Sequence, residues 1–121
     1  MSDLIVDTGD VEDVTILYPR GFINAHTVRE FDSAIQKAVS RRRFKIVVNC
    51  EGLIYIASAG LGAMMGAIEE IRGSGGDLRL AGLNDTVHNI FEILGFNHLY
   101  KTYPSEAEAI SSFREGGQAA S

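Results

Sequence analysis

The sequence predicts an α/β domain built on a mixed sheet with much parallel pairing. Three observations carry that prediction. Short β-branched runs alternate along the chain with segments whose apolar positions recur at helical spacing. One run, Phe44 to Cys50, is continuously apolar over a length that suits a strand better than a helix, as a central strand covered on both faces would be. Glycine, proline and capping residues fall between these segments at the positions where each should start or stop. With 121 residues and 45% hydrophobic content, the chain suits one compact core, expected over residues 1–115.

Leu4-Ile5-Val6 and Val14 to Tyr18 read as two neighbouring strands separated by polar Gly9-Asp10, the second closed by Pro19-Arg20-Gly21. Val28, Phe31, Ile35 and Ala38 then give a first helix, started either by Asn24 as N-cap or by a Thr27/Glu30 capping box. The central strand follows. After it, Leu61, Met64, Met65, Ile68 and Ile71 form a one-sided stripe ended by Gly73-Ser74-Gly75-Gly76, a second helix with Ser58 at its head. At least one of the two methionines should be core. Leu78 to Ala81 is a further strand, and Val87, Ile90, Phe91 and Leu94 make a third helix, capped by Asn84 or Asp85 and stopped at Gly95. A short piece at Leu99-Tyr100 suits a sheet edge, and Pro104-Ser105-Glu106 with Glu108 starts a last helix. Residues 116–121 are expected to form a disordered tail.

Composition narrows the function. A formal net charge of -5 argues against a nucleic-acid partner, and the basic run Arg41-Arg42-Arg43 suits a solvated helix end. No apolar stretch reaches the ~20 residues a membrane span needs, and the acidic start does not resemble a signal peptide, so no membrane association and a cytoplasmic location are expected. The single cysteine, Cys50, reads as a packed thiol.

The lone hydroxyl of Ser58, where a strand gives way to a helix, is the one feature that invites chemistry. As a nucleophile it would need an oriented base, and His26, His88 and His98 form no catalytic signature around it. The nucleophile elbow G-x-S-x-G lacks its first glycine here. Gly60 and Gly62 complete neither a Walker loop, which lacks its lysine, nor a dinucleotide fingerprint, which has Met65 at the third glycine. The histidines are scattered, so no metal and no cofactor are expected. What remains from the residues alone is a helix cap, or a site that another protein modifies.

The wider pattern favours the second. Gly21-Phe22-Ile23-Asn24, the strand Ile46 to Cys50, the run Leu53-Ile54-Tyr55-Ile56-Ala57-Ser58-Ala59-Gly60-Leu61-Gly62 and the glycine-rich turn into Leu78-Arg79-Leu80 together resemble a STAS domain of the bacterial anti-sigma factor antagonists, from about Leu4 to Phe113. The resemblance implies a sheet of four to five strands with about four helices, mostly layered on one side. It also implies a non-enzymatic regulator of transcription that acts by partner switching. A serine-kinase anti-sigma factor would bind it when Ser58 is free and phosphorylate that serine, and a serine phosphatase would reverse the step. Asn24, Ala57, Ser58, Ala59, Gly60, Leu61 and Gly62 would form the partner-binding surface, the glycines being small so that a partner's backbone can approach.

Three positions depart from the commonest pattern. Ala57 stands where an aspartate is frequent, Ala59 where a Ser or Thr is frequent, and Asn24 where an aspartate is frequent. These changes leave Ser58 as the only acceptor in the motif, and leave open a non-phosphorylated scaffold subunit of a larger signalling assembly.

Overall fold

The computed structural model describes the backbone of residues 3–120 and the side chains of residues 3–114. The strands are β1 (Leu4–Val11), β2 (Val14–Ile23), β3 (Lys45–Asn49), β4 (Leu53–Ile56), β5 (Asp77–Ala81) and β6 (Thr102–Tyr103). The helices are α1 (Val28–Ser40), α2 (Ser58–Gly73), α3 (Asp85–Ile93) and α4 (Glu106–Ala120). The assignment of α4 overlaps the expected tail from residue 116, whose side chains lie outside the described residues together with Ser121. One sheet runs β1-β2-β3-β5-β6, with β4 attached to β2, and every pairing except the β1–β2 hairpin is parallel.

The sheet has six strands rather than four or five because two short ones are separate. β3 pairs with β2 from Val14 to Leu17 and then departs; β4 takes its place beside Gly21 to Ile23. A tight turn at Glu51-Gly52, closed by a 3.0 Å bond from the Leu53 amide to the Cys50 carbonyl, separates β3 from β4. That change of neighbour also explains why Pro19 does not end β2. Gly21 N–H points to the β4 side, bonding Gly52, and Phe22 N–H points to β1, bonding Asp3. By alternation, the nitrogen of Pro19 faces the gap between β3 and β4, where no donor is required.

Gly9-Asp10 lies inside β1, not between strands. The hairpin turn is Glu12-Asp13, since Val11 pairs with Val14, and Glu12 takes the positive φ of 54° that a two-residue turn demands. At the far edge, Tyr100 turns into the core, and the paired segment is Thr102–Tyr103 instead of Leu99-Tyr100.

Three of the four helices cover one face. Phe31 and Ile35 of α1, Leu61, Met64 and Ile71 of α2, and Val87 and Phe91 of α3 share one buried cluster with that side of the sheet. α4 covers the opposite face, where Ile110 and Phe113 pack on Ile16 and Val47. Arg79 fixes it there: its guanidinium pairs with Asp77 at 3.1 Å, donates to Ser112 Oγ at 2.7 Å and lies 4.2 Å from the Phe113 ring centroid. β3 is thus covered on both sides, and burial pushes the Cys50 thiol up to about 12. The basic run is more engaged than a solvated helix end. Arg41 pairs with Asp10 at 3.0 Å, and Arg43 donates to Thr15 Oγ1 and the Glu12 carbonyl, tying the end of α1 to the hairpin.

Candidate functional site

β2 and β4 end side by side, with Phe22 opposite Tyr55 and Ile23 opposite Ile56. β4 gives way to α2 after Ala57 alone and β2 to α1 through the turn at Asn24 to Thr27, and the Ala57 amide donates to the Ile23 carbonyl at 2.8 Å. This pairing brings Asn24, which follows β2, and Ser58, which follows β4, to one end of the sheet.

Asn24 and Thr27 both hydrogen-bond within the fold, and Asn24 is half-buried. Asn24 Oδ1 accepts from the amides of His26 and Thr27 at 2.8 and 3.1 Å, a local side-chain turn. Thr27 occupies the N-cap position of α1, yet its hydroxyl makes no cap bond; it donates to the Phe22 carbonyl at 2.7 Å and accepts from the Asn24 amide at 2.9 Å. Asn24 thus bonds as an N-cap residue does, its backbone carbonyl also taking the Val28 amide at 2.9 Å, while the Thr27/Glu30 capping box does not form. His26 lies in the turn before α1.

Ser58 differs. The N-cap of α2 is Ala57, extended at φ -89° and ψ 170°, so Ser58 is already the first helical residue and does not cap. Its side chain is exposed and makes no hydrogen bond among the described residues. The first turn holds no acidic residue, so the positive end of the helix dipole is uncompensated beside that hydroxyl. Ser58, Gly62 and Met65 fall at i, i+4 and i+7 and share one exposed face, while Met64 is buried.

The remaining expected contact residues divide. Ala57 and Ala59 are half-buried and Gly62 is open, with space around the position a Cβ would occupy. Gly60 and Leu61 are corrections: both are buried and offer no surface to a partner. A Cβ at Gly60 would lie 2.6 Å from Ile23 Cγ2 and 2.7 Å from Ile56 Cγ1, so its smallness serves the packing of α2 on the strand ends. Sequence reasoning gave no contact role to Phe22, Ile54 and Tyr55, which are 42%, 55% and 43% exposed. Their signal was available in one respect: large apolar side chains immediately before a surface-facing serine. Strand patterning alone could not say that Ile54 and Tyr55 are both exposed, because β4 meets β2 through a register shift.

Among the described residues no histidine hydrogen-bonds Ser58; His88 pairs with Glu92 at 3.2 Å and His98 sits in a 3-10 turn. No group of three His, Cys, Asp or Glu residues among them could hold a metal ion, and no helix is long and apolar enough to cross a membrane.

Residues 6–109 match the STAS domain family. The chain belongs to that family. An anti-sigma F factor antagonist of Paenibacillus polymyxa is 26% identical to this STAS chain over 99 residues, covering 81% of this chain and 85% of that protein. The structure of the anti-sigma factor antagonist SpoIIAA in its unphosphorylated form is similar with a TM-score of 0.79 at 23% identity, over 92% of this chain and 97% of that one. The phosphorylated form of SpoIIAA from Bacillus is similar with a TM-score of 0.70 at 21% identity, over 90% and 99%. At these identities the two structures establish the shared fold.

Proposed function

We propose that this STAS domain is an anti-sigma factor antagonist of a partner-switching pathway, acting in the cytoplasm. With Ser58 free it binds a serine-kinase anti-sigma factor; with Ser58 phosphorylated it releases that partner, and a serine phosphatase restores binding. The observation that carries this reading is that Ser58 is exposed at the start of α2 and its hydroxyl makes no hydrogen bond among the described residues. The similar SpoIIAA has a structure in a phosphorylated form.

The physical basis is charge. A phosphate on Ser58 adds nearly two negative charges beside the free amides at the head of α2, where the dipole accepts an anion, so the fold tolerates it. A partner packed on Phe22, Tyr55 and the Ser58–Gly62 face would have to desolvate that dianion. A loss of about 4 kcal/mol weakens the complex about a thousandfold. The domain itself then needs no change of shape to switch.

The test is co-purification from the native cell followed by intact-mass measurement. The expected partner, given ATP, adds one phosphoryl group to the wild-type chain and none to Ser58→Ala, and its complex is lost with Ser58→Asp. A Ser58→Asp chain that binds this partner as tightly as wild type would overturn the switch and leave a constitutive interaction module.

A further inference from the structure

We propose that the outer edge of β1, with the groove between it and α1, docks an extended protein segment carrying acidic side chains at positions i and i+4. The site is separate from Ser58, and the proposal does not depend on the partner switch.

The first observation is an edge that is open at Val6 and Thr8. β1 is the terminal strand of the sheet and pairs only with β2 among the described strands. The Phe22 amide bonds the Asp3 carbonyl, so Asp3 faces β2, and by alternation Val6 and Thr8 direct their backbone groups outward. Pro19 stands opposite Val6 and has no N–H to give, which is consistent with that assignment. An edge of this kind receives a further strand through main-chain hydrogen bonds, with side-chain pockets supplying selectivity.

The second observation is the groove beside it. A concavity of about 620 Å³ lies between β1 and α1, walled by Arg29, Glu30, Ser33 and Lys37 over Ala34. Arg29 and Lys37 are exposed, and neither has a carboxylate partner among the described residues. α1 runs alongside β1 in the same sense: Lys37 shares the groove with Thr8, and Arg41 reaches Asp10 one turn later.

Geometry then sets the spacing. Eight helical positions separate Arg29 from Lys37, about 12 Å at the rise of an α-helix, and four strand residues cover about 13 Å. Side chains at i and i+4 of an added strand share one face, so two acids can meet the two cations. Glu30 lies on the same wall, which favours uncharged residues between those acids.

The same charges disfavour a second copy as the occupant. Joining two β1 edges about a two-fold axis would set the two α1 helices side by side, each presenting Arg29 and Lys37 to the other.

The experiment uses the whole chain and a labelled peptide of alternating Thr and Val with Glu at two positions four apart. Fluorescence anisotropy should show saturable binding with a Kd at or below about 1 mM, and amide exchange should slow at Val6 and Thr8. Replacing both peptide Glu residues by Lys, or combining Arg29→Ala with Lys37→Ala on the exposed face of α1, should each weaken binding about tenfold. Ser58→Asp should leave it unchanged. Absence of saturation, equal affinity for the Lys peptide, or protection elsewhere than β1 would overturn the proposal. So would a stable dimer in sedimentation equilibrium that the peptide does not disturb.

Discussion

Two helices begin next to each other at the same end of the sheet, and they begin in opposite ways. α1 is entered through Asn24 and Thr27, whose side chains together satisfy three backbone amides and one carbonyl. α2 is entered through Ala57 and Ser58, neither of which gives its first turn a side-chain bond. Helix ends leave amides unsatisfied, and a fold under no other demand uses a polar side chain to meet them. α3 does so, its Asn84 accepting from the Val87 amide at 2.8 Å and donating to the Leu53 carbonyl at 2.8 Å. The start of α2 differs from both: no side chain caps its first turn, and the Ser58 hydroxyl stands exposed there.

The sharpest way to break this contrast is at Thr27. It is 6% exposed, and Thr27→Val keeps its shape while removing the hydroxyl from the Phe22 carbonyl and the Asn24 amide. Two part-buried backbone groups lose their partner, which should cost about 3 kcal/mol, read as a lower urea midpoint with unchanged slope. A cost near zero would mean that water replaces the hydroxyl, and that the start of α1 is no more dependent on side chains than the start of α2.

A second effect separates two glycines that the sequence presents as equivalent. Gly60→Ala should destabilise by about 2 kcal/mol, because the added methyl meets Ile23 and Ile56 below 3 Å. Gly62→Ala, with nothing within 4 Å, should stabilise by about 0.5–1 kcal/mol through helix propensity alone. Thermal unfolding of the pair distinguishes packing from presentation. If Gly60→Ala is neutral, α2 can slide on the strand ends, and the position of Ser58 is not fixed by them.

These two glycines also show what the sequence could and could not convey. Periodicity made the alternation of strands and helices legible, as well as the stripe of α2 and the cover on both faces of β3, because burial imposes a period that side chains must follow. The start of α3 was legible to within one residue, Asn84 or Asp85, and the structure takes Asn84; the Ser105 start of α4 was plain, since a cap is a local event between neighbours. What escaped was set by distant partners. Pro19 is harmless in β2 only because β3 leaves and β4 arrives there, and Gly60 and Leu61 point inward only because β4 sits beside β2. The site was legible as a serine at a strand-to-helix junction. That Ser58 is the first helical residue, with the capping position one earlier, depends on a backbone angle at Ala57 that no local pattern announced.

The smallest stability effects belong to Ser58, and they are the most discriminating. If Ser58 supported the fold as a cap, Ser58→Ala would cost about 1 kcal/mol. Because it makes no hydrogen bond among the described residues, the change should stay within about 0.5 kcal/mol of wild type. Ser58→Asp places a carboxylate at the head of a helix whose first turn has no acidic residue, so it should stabilise by about 0.3–1 kcal/mol, an increment that salt screens. Partner affinity should move the other way, because the same charge that the dipole welcomes must be stripped of water at an interface. Measuring both on one variant, by thermal unfolding at low and high salt and by titration against the captured partner, tests the contrast directly. A Ser58→Asp chain that is less stable than wild type would show that this helix start is engaged after all, and that the two junctions differ less than their hydrogen bonds suggest.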